Sequence, residues 1–240
     1  DLSVDQGINT ALPAPRIQGR LLGLQLWDSP QGMQLTQVSA SRLLDPSVIE
    51  HPHSQQGGTK ALRPRIPQLL RTAVAHVLAC AQGHCLHTHL VGPDAVLDWP
   101  ALSTDKAQAI VASWCQNHAK AWASPMPVLC DLAGHWLTLV HSPALEPNEA
   151  RELARSKVTE RLQPGSWSPS WDFTRHAVVQ RHLPSPEVAL KAIETWADAL
   201  YFPLIETLHV TVHGGPRHCW MERNDATPAP MTAPTLGAHE

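Results

Sequence analysis

The sequence predicts an α+β fold with an α/β core, in which a mixed sheet is flanked by helices. Two strand-like segments joined by a turn lie within residues 17–41, and a second such pair lies within residues 85–99. Between and after these pairs, apolar residues recur at steps of three and four, which is the spacing of amphipathic helices. Helical segments dominate the second half of the chain, so helices are expected to flank the sheet and to extend beyond it.

The first strand pair is preceded by a lead-in segment and followed by a loop. Residues 1–16 contain Leu12-Pro13-Ala14-Pro15 just before Arg16, and this stretch is interpreted as a lead-in because proline cannot donate to a strand ladder. The turn Ser29-Pro30-Gln31-Gly32 then joins two strands within residues 17–41. Residues 45–58 are polar and punctuated by Pro and Gly, which predicts a loop.

A helix and a hairpin follow the loop. The helix begins at about Pro67, where a missing proline N–H is tolerated in the first turn, and ends at Gln82-Gly83. Residues 85–91 and 95–99 alternate well enough to form two strands across the turn at Gly92-Pro93-Asp94. The apolar face of the helix, which must pack on a neighbouring element, consists of Ile66, Leu69, Leu70, Ala73, Val74, Val77 and Leu78.

Helices account for most of the second half. The second helix starts at the capping cluster Ser103-Thr104-Asp105 and runs to about Trp122, whose ring is placed on the buried side. A helical C-terminal extension is predicted from about residue 147, and the composition of residues 213–240 predicts a disordered tail. The remaining predicted segments are an apolar bridge over 129–141, helices over 147–162 and 167–183, and a last helix that is capped by Ser185 and ends or kinks at Pro203.

The charge balance argues against an autonomous, sequence-independent DNA-binding protein. Lys and Arg total 18 and Asp and Glu total 21, so the net charge is −3. The distribution is uneven, because residues 1–75 have seven basic and five acidic side chains and the remainder of the chain is acidic. A modest basic strip near the first strands and a plain solvated surface both explain this local excess.

Cysteine usage favours a cytoplasmic location. Five cysteines are an odd number without regular spacing, which disfavours a disulfide framework in a chain of this length. Neither a membrane span nor a signal peptide is recognised in the sequence. The chain begins with Asp1 instead of Met, which is consistent with a piece of a longer protein.

A histidine-rich segment is the sharpest candidate for a metal site. His87 and His89 would point to the same face of a strand, and His84 and Cys85 precede them, which is a workable start for zinc. A structural zinc site needs two more ligands, and no second Cys/His pair has finger spacing. Alternation on a half-exposed strand explains the same residues, so a zinc-containing interaction module and an ordinary strand both stay open.

Motifs for nucleophilic catalysis are absent from the sequence. There is no Gly-x-Ser-x-Gly and no glycine loop for phosphate. Cys80 and Cys115 fall on the apolar faces of their helices, which predicts buried and inert thiols. Asp94 and Asp98 flank a turn and are interpreted as solubilising residues in preference to a paired acid and base.

The first strand pair matches the frame of a metal-dependent nuclease without its acids. In restriction-endonuclease-like, or PD-(D/E)XK, nucleases an Asp follows a Gly-Arg-hydrophobic start and an acid-x-Lys lies in the next strand, because Mg²⁺ needs carboxylate oxygens. Here Leu22 follows Gly19-Arg20-Leu21, and the next strand offers only Thr36, Gln37 and Val38. The pair therefore predicts a nuclease-shaped domain that cannot cut DNA.

The landmarks of the chain, taken in order, resemble the C-terminal domain of the exodeoxyribonuclease V gamma subunit family, RecC. The similarity covers residues 17–208, and it implies a nuclease-like domain over residues 17–212. The loop over residues 45–58 and the tail after residue 213 depart from that pattern. The segments that carry the resemblance are Ile17-Gln18-Gly19-Arg20, residues 69–83, His89-Leu90-Val91-Gly92, Trp99-Pro100-Ala101-Leu102 with the helix over 105–122, Met126-Pro127-Val128, Gly134-His135-Trp136-Leu137, Ala154-Arg155-Ser156-Lys157 and Tyr201-Phe202-Pro203-Leu204.

The resemblance implies a domain without activity of its own. The last domain of that family is similar to the nuclease domain of the partner subunit RecB but has lost the metal-binding acids, in agreement with Leu22 here. No cofactor is therefore expected in this domain, whereas Mg²⁺ and ATP belong to the partner subunits. The implied partners are RecB-like and RecD-like subunits, double-stranded DNA ends and unwound single strands, within an ATP-dependent helicase and nuclease that acts in double-strand break repair.

Phosphate contacts are expected from arginines in the first part of the chain, because neutralisation of the DNA backbone does not depend on base sequence. No catalytic or metal-ligating residue is assigned. Trp27 lies near a turn and is a candidate for stacking on a base. The arginines predicted to bind DNA are Arg16, Arg20, Arg42, Arg63 and Arg65.

An enzymatic alternative stays open beside the noncatalytic one. A divergent metal-dependent nuclease would take its acids from Asp28, Asp45 or Glu50. Acids located in turns rarely provide the convergent geometry that a metal site requires, so the noncatalytic interpretation is preferred.

Overall fold

A computed structural model describes residues 2–6, 17–21, 25–29, 32–48, 60–123, 126, 128–142, 145–163 and 181–213. The strands within these ranges are β1 (Leu2–Gln6), β2 (Ile17–Leu21), β3 (Gln25–Ser29), β4 (Gly32–Val38), β5 (Leu44–Val48), β6 (Lys60–Pro64), β7 (Leu86–Val91), β8 (Ala95–Trp99) and β9 (His209–Val212). The helices are α1 (Ile66–Ala81), α2 (Thr104–Ala123), α3 (Cys130–Val140), α4 (Pro147–Leu162) and α5 (Pro186–Ile205).

The central sheet has five strands in the order β3-β4-β7-β8-β9. Strands β4 and β7 are parallel, with Met33 paired to Leu86, and the other neighbours are antiparallel. Helix α1 makes the crossover between the parallel strands, as a parallel connection requires. Two separate ribbons, β1-β2 and β5-β6, accompany the sheet. The predicted mixed α/β class is therefore confirmed.

One face of the sheet forms the core with the helices. Burial alternates along β7 and β8, where Leu90, Leu97 and Trp99 point into the core and their neighbours are half-buried. The indole N–H of Trp99 donates to the carbonyl of Leu204 at 2.8 Å, which ties the sheet to the end of α5. Helices α3, α4 and α5 pack on one another beside this contact through a cluster that includes Leu132, Leu137, Ala154, Val158, Ile193 and Ala197.

Several predicted elements are confirmed. Helix α1 covers the predicted range, ends at Ala81 and is followed by Gly83, which adopts a φ of 87°. The hairpin of β7 and β8 and the helix over 147–162 also lie where the sequence places them. Two caps are confirmed as well, since the hydroxyl oxygens of Ser103 and Ser185 accept hydrogen bonds from the amides of Lys106 and Val188.

Other segments differ from the prediction. The first predicted strand is two strands, β2 and β3, in different sheets, and the lead-in contains β1, which pairs with β2. The predicted loop contains β5, and its partner β6 starts at Lys60. The apolar bridge over 129–141 is helix α3, whose residues 132–139 are all buried. An element buried on every side shows no apolar stripe, so its periodicity is hidden.

Helix α5 includes Pro203 and ends two residues after it, at Ile205, so its end lies close to the predicted one. The prediction that places Trp122 on the buried side of α2 is wrong. Trp122 is 83% exposed, since α2 extends past the core at that point. The segments 164–180 and 214–240, where a further helix and the tail were predicted, lie outside the described residues. No helix in the described part combines the length and the apolar composition that a bilayer crossing requires.

Candidate nucleic-acid interface at the base of strands β5 and β6

The base of the β5-β6 ribbon brings three of the predicted DNA-binding arginines together. The amide of Arg65 donates to the carbonyl of Leu43 at 2.8 Å, directly after Arg42, and Arg63 pairs in register with Asp45. Arg42 lies about twenty residues before the other two along the chain, and the antiparallel pairing of β5 with β6 brings the three close together in space. We call Arg42, Asp45, Arg63 and Arg65 the ribbon-base cluster.

Arg63 is the buried member of the ribbon-base cluster. It is 4% exposed, and its guanidinium donates to the carbonyl of Asp131 at 3.2 Å and to the carboxylate of Asp45 at 3.3 Å. Burial lowers its pKa, and the neighbouring Asp45 opposes that change. The prediction of an open phosphate contact at Arg63 therefore needs correction, because this side chain is enclosed between β5 and α3.

Arg42 and Arg65 are the accessible members. Arg42 is exposed, and the side chain of Arg65 is 35% exposed while its Nε lies 3.4 Å from Asp45. Arg65 also precedes helix α1, whose first turn has no acidic residue and no side-chain cap. The positive end of the helix dipole therefore adds to the charge of these two arginines.

The other three predicted residues are described less fully. Arg20 lies in β2, paired with Ser3, and Trp27 lies in β3, paired with Gln34. Arg16 lies outside the described residues. The structure therefore brings together three of the six predicted residues and gives only a backbone position for two.

Strand β4 is the second strand of the pair in which the sequence predicts a nuclease-like arrangement without acids. It lies between β3 and the parallel strand β7, and its sequence Gly-Met-Gln-Leu-Thr-Gln-Val contains neither an acid nor a lysine. Gln37 accepts a hydrogen bond from Thr72 of α1 at 2.5 Å, so this polar side chain fixes the helix on the strand. Strand β4 thus has amide and hydroxyl groups but no carboxylate that could bind a cation such as Mg²⁺.

Asp45 is the one acid of the enzymatic alternative whose side chain the structure describes. Asp45 is held by two arginines, Asp28 lies in β3 opposite Met33, and Glu50 lies outside the described ranges. No group of three or more His, Cys, Asp or Glu side chains in the described part of the chain is arranged to hold a metal ion.

A side-chain hydrogen bond joins the histidine-rich strand β7 to its neighbour β8. Nδ1 of His89 lies 2.5 Å from the carboxylate of Asp98, its register partner on β8, and both side chains are about one-third exposed. His87 points to the same face of the sheet, and Cys85 is exposed just before the strand. Asp98 is therefore bound to a histidine, which corrects its interpretation as a solubilising residue.

Asp94 is also corrected, because its carboxylate is a structural acceptor. Its two oxygens accept hydrogen bonds from the backbone amides of Leu43 and Leu44 at 2.9 and 3.1 Å. These bonds hold the start of β5 against the turn between β7 and β8 and so fix the position of Arg42. The sequence did not reveal the structural role of Asp94, because its hydrogen-bond partners are far away in the sequence. An Asp after Pro93 is also typical of an ordinary turn.

A second basic group lies beside the ribbon-base cluster and was also missed. His135 of α3 is buried, and Arg63, Lys157 and Arg161 are close enough to affect its ionisation. Burial, followed by repulsion from these cations, lowers its pKa to about 3, so the imidazole is neutral. The spacing of Lys157 and Arg161, four residues apart on α4, was the available signal for one basic face.

Comparison with protein-family models and with curated proteins finds no match to this sequence.

Proposed function

We propose that this chain is a noncatalytic, PD-(D/E)XK nuclease-like domain that guides DNA and scaffolds partner subunits in a RecBCD-type helicase and nuclease. The observation that carries the proposal is strand β4, an interior strand that lies between β3 and β7 and contains no acid or lysine. A metal-dependent nuclease of this class would need carboxylates on that strand. The resemblance to the RecC C-terminal domain supplies the role.

The order of the elements around β4 supports the nuclease-like part of the proposal. The hairpin of β3 and β4 precedes α1, and α1 leads into β7, which lies parallel to β4. A strand, strand, helix order is the one expected of restriction-endonuclease-like domains. Along the chain, the ribbon of β5 and β6 is inserted between β4 and α1.

The surroundings of Asp45 support a noncatalytic role. A carboxylate that binds Mg²⁺ needs further oxygen ligands nearby, whereas Asp45 is bound by the cations of Arg63 and Arg65. A second cation beside two guanidinium groups is electrostatically unfavourable. Asp45 therefore organises the two arginines and leaves the partly exposed Arg65 in position to meet a phosphate.

Arg42 and Arg65 are the proposed phosphate contacts. Both are accessible, they lie on adjacent backbone segments, and the uncapped end of α1 adds its dipole. Arg16, Arg20 and Trp27 belong to the same part of the chain and extend the proposed contact. Such contacts hold DNA without reading its sequence, which suits a domain that channels strands.

The scaffolding role is tested by co-purification. The gamma-type subunit that contains this sequence is expressed with the RecB-like and RecD-like subunits of the same organism, with and without residues 1–240. Loss of either partner on removal of the domain supports an assembly role. Retention of both partners together with unchanged DNA binding would contradict the proposal.

The DNA-guiding role is tested by the salt dependence of binding. Arg42→Gln and Arg65→Gln should each lower the affinity for single-stranded DNA and reduce the slope of log K against log salt by about 0.7. Arg151→Gln, an exposed arginine on α4, is the matched control. An unchanged slope in all three variants would remove the arginines from the interface, and cleavage of DNA by the purified chain with Mg²⁺ or Mn²⁺ would favour the nuclease alternative.

A further inference from the structure

Three titratable side chains lie together on the face of the central sheet that is turned away from α1. His87 and His89 alternate with the buried residues of β7, and Thr88 between them faces α1, where it is hydrogen-bonded to His76. Asp98 of β8 is the register partner of His89 and therefore lies on the same face as the two histidines. The proposed function uses none of these three side chains, although strand pairing fixes their relative positions.

A hydrogen bond holds the imidazole of His89 in one orientation. Its Nδ1 lies 2.5 Å from a carboxylate oxygen of Asp98. Because an ionised carboxylate can only accept hydrogen bonds, Nδ1 of the neutral ring carries the proton and Nε2 keeps its lone pair. The two side chains are 33% and 30% exposed, so the pair is in contact with solvent.

The spacing of the two histidines on β7 suits a shared ligand. Residues at positions i and i+2 of a strand lie roughly 6.6 Å apart and project from the same side. Imidazole rings that project in parallel from positions this far apart can each direct one nitrogen to a common metal ion, at a distance of about 2.0–2.1 Å. Strand β7 therefore presents two nitrogen ligands in a chelating arrangement, and one of them is already oriented by Asp98.

The strands around this pair contain no cation that would repel a metal ion. The five strands of the central sheet, β3, β4, β7, β8 and β9, have neither Lys nor Arg in their sequences. The register partners of His87 and His89 on β4 are Gln34 and Thr36, which are polar and uncharged. The electrostatic surroundings thus differ from those of the ribbon-base cluster, where guanidinium groups dominate.

We propose that His87 and His89 form a binding site for a divalent transition-metal ion of the zinc, nickel and copper class. Imidazole is the commonest protein ligand for these ions, whereas Mg²⁺ and Ca²⁺ prefer oxygen ligands. Asp98 is the positioning residue, since a carboxylate on the second ring nitrogen orients a ligating histidine and raises its basicity. Within the described residues no third His, Cys, Asp or Glu joins the pair, so water fills the remaining coordination positions.

Isothermal titration calorimetry of the full chain with zinc chloride, in a buffer without chelators at pH 7.5, tests the site. His87→Gln and His89→Gln should each weaken Zn²⁺ binding at least about tenfold, because each removes one of the two ligands. Asp98→Asn keeps both ligands and should weaken binding about tenfold, as is usual when the group behind a ligating histidine is changed. Titration with magnesium chloride should show no binding that depends on the two histidines.

Histidines elsewhere in the chain provide matched controls. His51 and His53 have the same spacing of two residues, and their joint replacement by Gln removes two imidazoles far from β7 in the sequence. His209 is the exposed register partner of Asp98 on β9, two strands and roughly 9.6 Å from His89. The double variant His51→Gln/His53→Gln and the variant His209→Gln should leave the affinity of the site unchanged.

Each outcome of the titrations decides one part of the proposal. Saturable Zn²⁺ binding that is weakened in both β7 variants and retained in the controls supports the site. Absence of Zn²⁺ binding by the unmodified chain, or equal affinity in all variants, overturns it. Unchanged affinity in Asp98→Asn overturns the positioning role of Asp98. Circular dichroism checks that each variant is folded, and should His89→Gln fail that check, His87→Gln decides.

The metal site does not rest on the proposed function, because its ligands lie on the central sheet and not in the ribbon-base cluster. The DNA-guiding proposal fails through an unchanged salt slope in Arg42→Gln and Arg65→Gln, whatever the Zn²⁺ titration gives. The metal site fails through the Zn²⁺ titration alone, so the two failures are distinguishable.

Discussion

Asp94 binds the backbone of Leu43 although 51 residues separate them, with the carboxylate oxygen 2.9 Å from the amide nitrogen. The second oxygen accepts from Leu44 at 3.1 Å. Gly92, in the same turn, packs against the Leu43 side chain. The turn between β7 and β8 therefore fixes the start of the β5-β6 ribbon, and the position of Arg42 beside Arg65 depends on it.

Replacement of Asp94 by Ala should destabilise the protein by about 2 kcal/mol, because two part-buried amides lose their acceptor. Asp94→Asn keeps one acceptor and should lose about half as much. The free energy of unfolding is measured by urea denaturation with circular dichroism. Unchanged stability of Asp94→Ala would mean that these hydrogen bonds do not hold the ribbon.

Gly92→Ala should destabilise by about 1–3 kcal/mol through overpacking. An added Cβ would lie 2.5 Å from Cγ and 2.8 Å from Cδ1 of Leu43. Leu43→Ala alone removes a fully buried side chain and should lose about 2–5 kcal/mol. In the double variant the clash is absent, so its loss in urea denaturation should be smaller than the sum of the single losses. Additive losses would show that the contact is relieved elsewhere.

Two buried histidines should make stability fall as the pH is lowered. Burial is the main cause that lowers the pKa of His76 to about 4 and that of His135 to about 3, from an ordinary value of 6.5. Below pH 6.5 the unfolded chain therefore binds more protons than the folded protein, so the free energy of unfolding decreases. Each histidine contributes about 1.4 kcal/mol per pH unit down to its folded pKa.

Urea denaturation between pH 4.5 and 7.5 checks this dependence. His135→Gln and His76→Gln should each flatten the curve, and His209→Gln, at an exposed position of β9, should leave it unchanged. His76 is hydrogen-bonded to Thr88 at 2.9 Å, so its variant should also lose stability at neutral pH. Equal pH slopes in all four proteins would contradict the assignment.

Local sequence signals were sufficient for the elements that pack on one side only. Helix α1 has a clear apolar stripe and a terminal glycine, and β7 and β8 alternate around a Gly-Pro-Asp turn. The sequence did not predict helix α3, because this helix is buried on all sides and its sequence shows only a run of apolar residues. The sequence did not predict the ribbon of β5 and β6 either, because Asp45-Pro46 is typical of a turn and the strand pairing depends on contacts with distant residues.

The sequence could supply the types of residue at the candidate site, but it could not predict how deeply each side chain is buried or which residues surround it. Of the arginines that the sequence singles out, Arg42 and Arg65 have accessible side chains, whereas Arg63 is buried. The burial of Arg63 follows from Gly134 and Asp131, about 70 residues away, and no local pattern contains that information.

Cysteine reactivity should separate Cys85 from the buried thiols. Cys85 is exposed, whereas burial raises the pKa of Cys80 and Cys115 and raises that of Cys130 to about 11. The thiolate is the reactive form, so a raised pKa and burial both slow alkylation. Iodoacetamide labelling followed by peptide mass spectrometry should modify Cys85 at least tenfold faster than the other three. Comparable rates at Cys80 and Cys85 would contradict the buried position of α1.

Substitution by Met should lower the stability of the protein more at Arg63 than at Arg65. Arg63→Met removes a buried guanidinium that binds Asp45 and the Asp131 carbonyl, and it should destabilise the protein by about 2–4 kcal/mol, less than a fully buried pair because Asp45 is partly exposed. Arg65→Met removes a partly exposed charge and should lose at most about 1 kcal/mol.

DNA affinity should show the reverse order. Arg65→Met should weaken single-stranded DNA binding and reduce its salt slope, whereas Arg63→Met, measured below its unfolding transition, should retain most of both. Urea denaturation and fluorescence anisotropy on the same two proteins provide the comparison. If Arg63→Met lost more DNA affinity than Arg65→Met while folded, the buried guanidinium would contact DNA through an opening of the ribbon, and its assignment as a structural residue would be wrong.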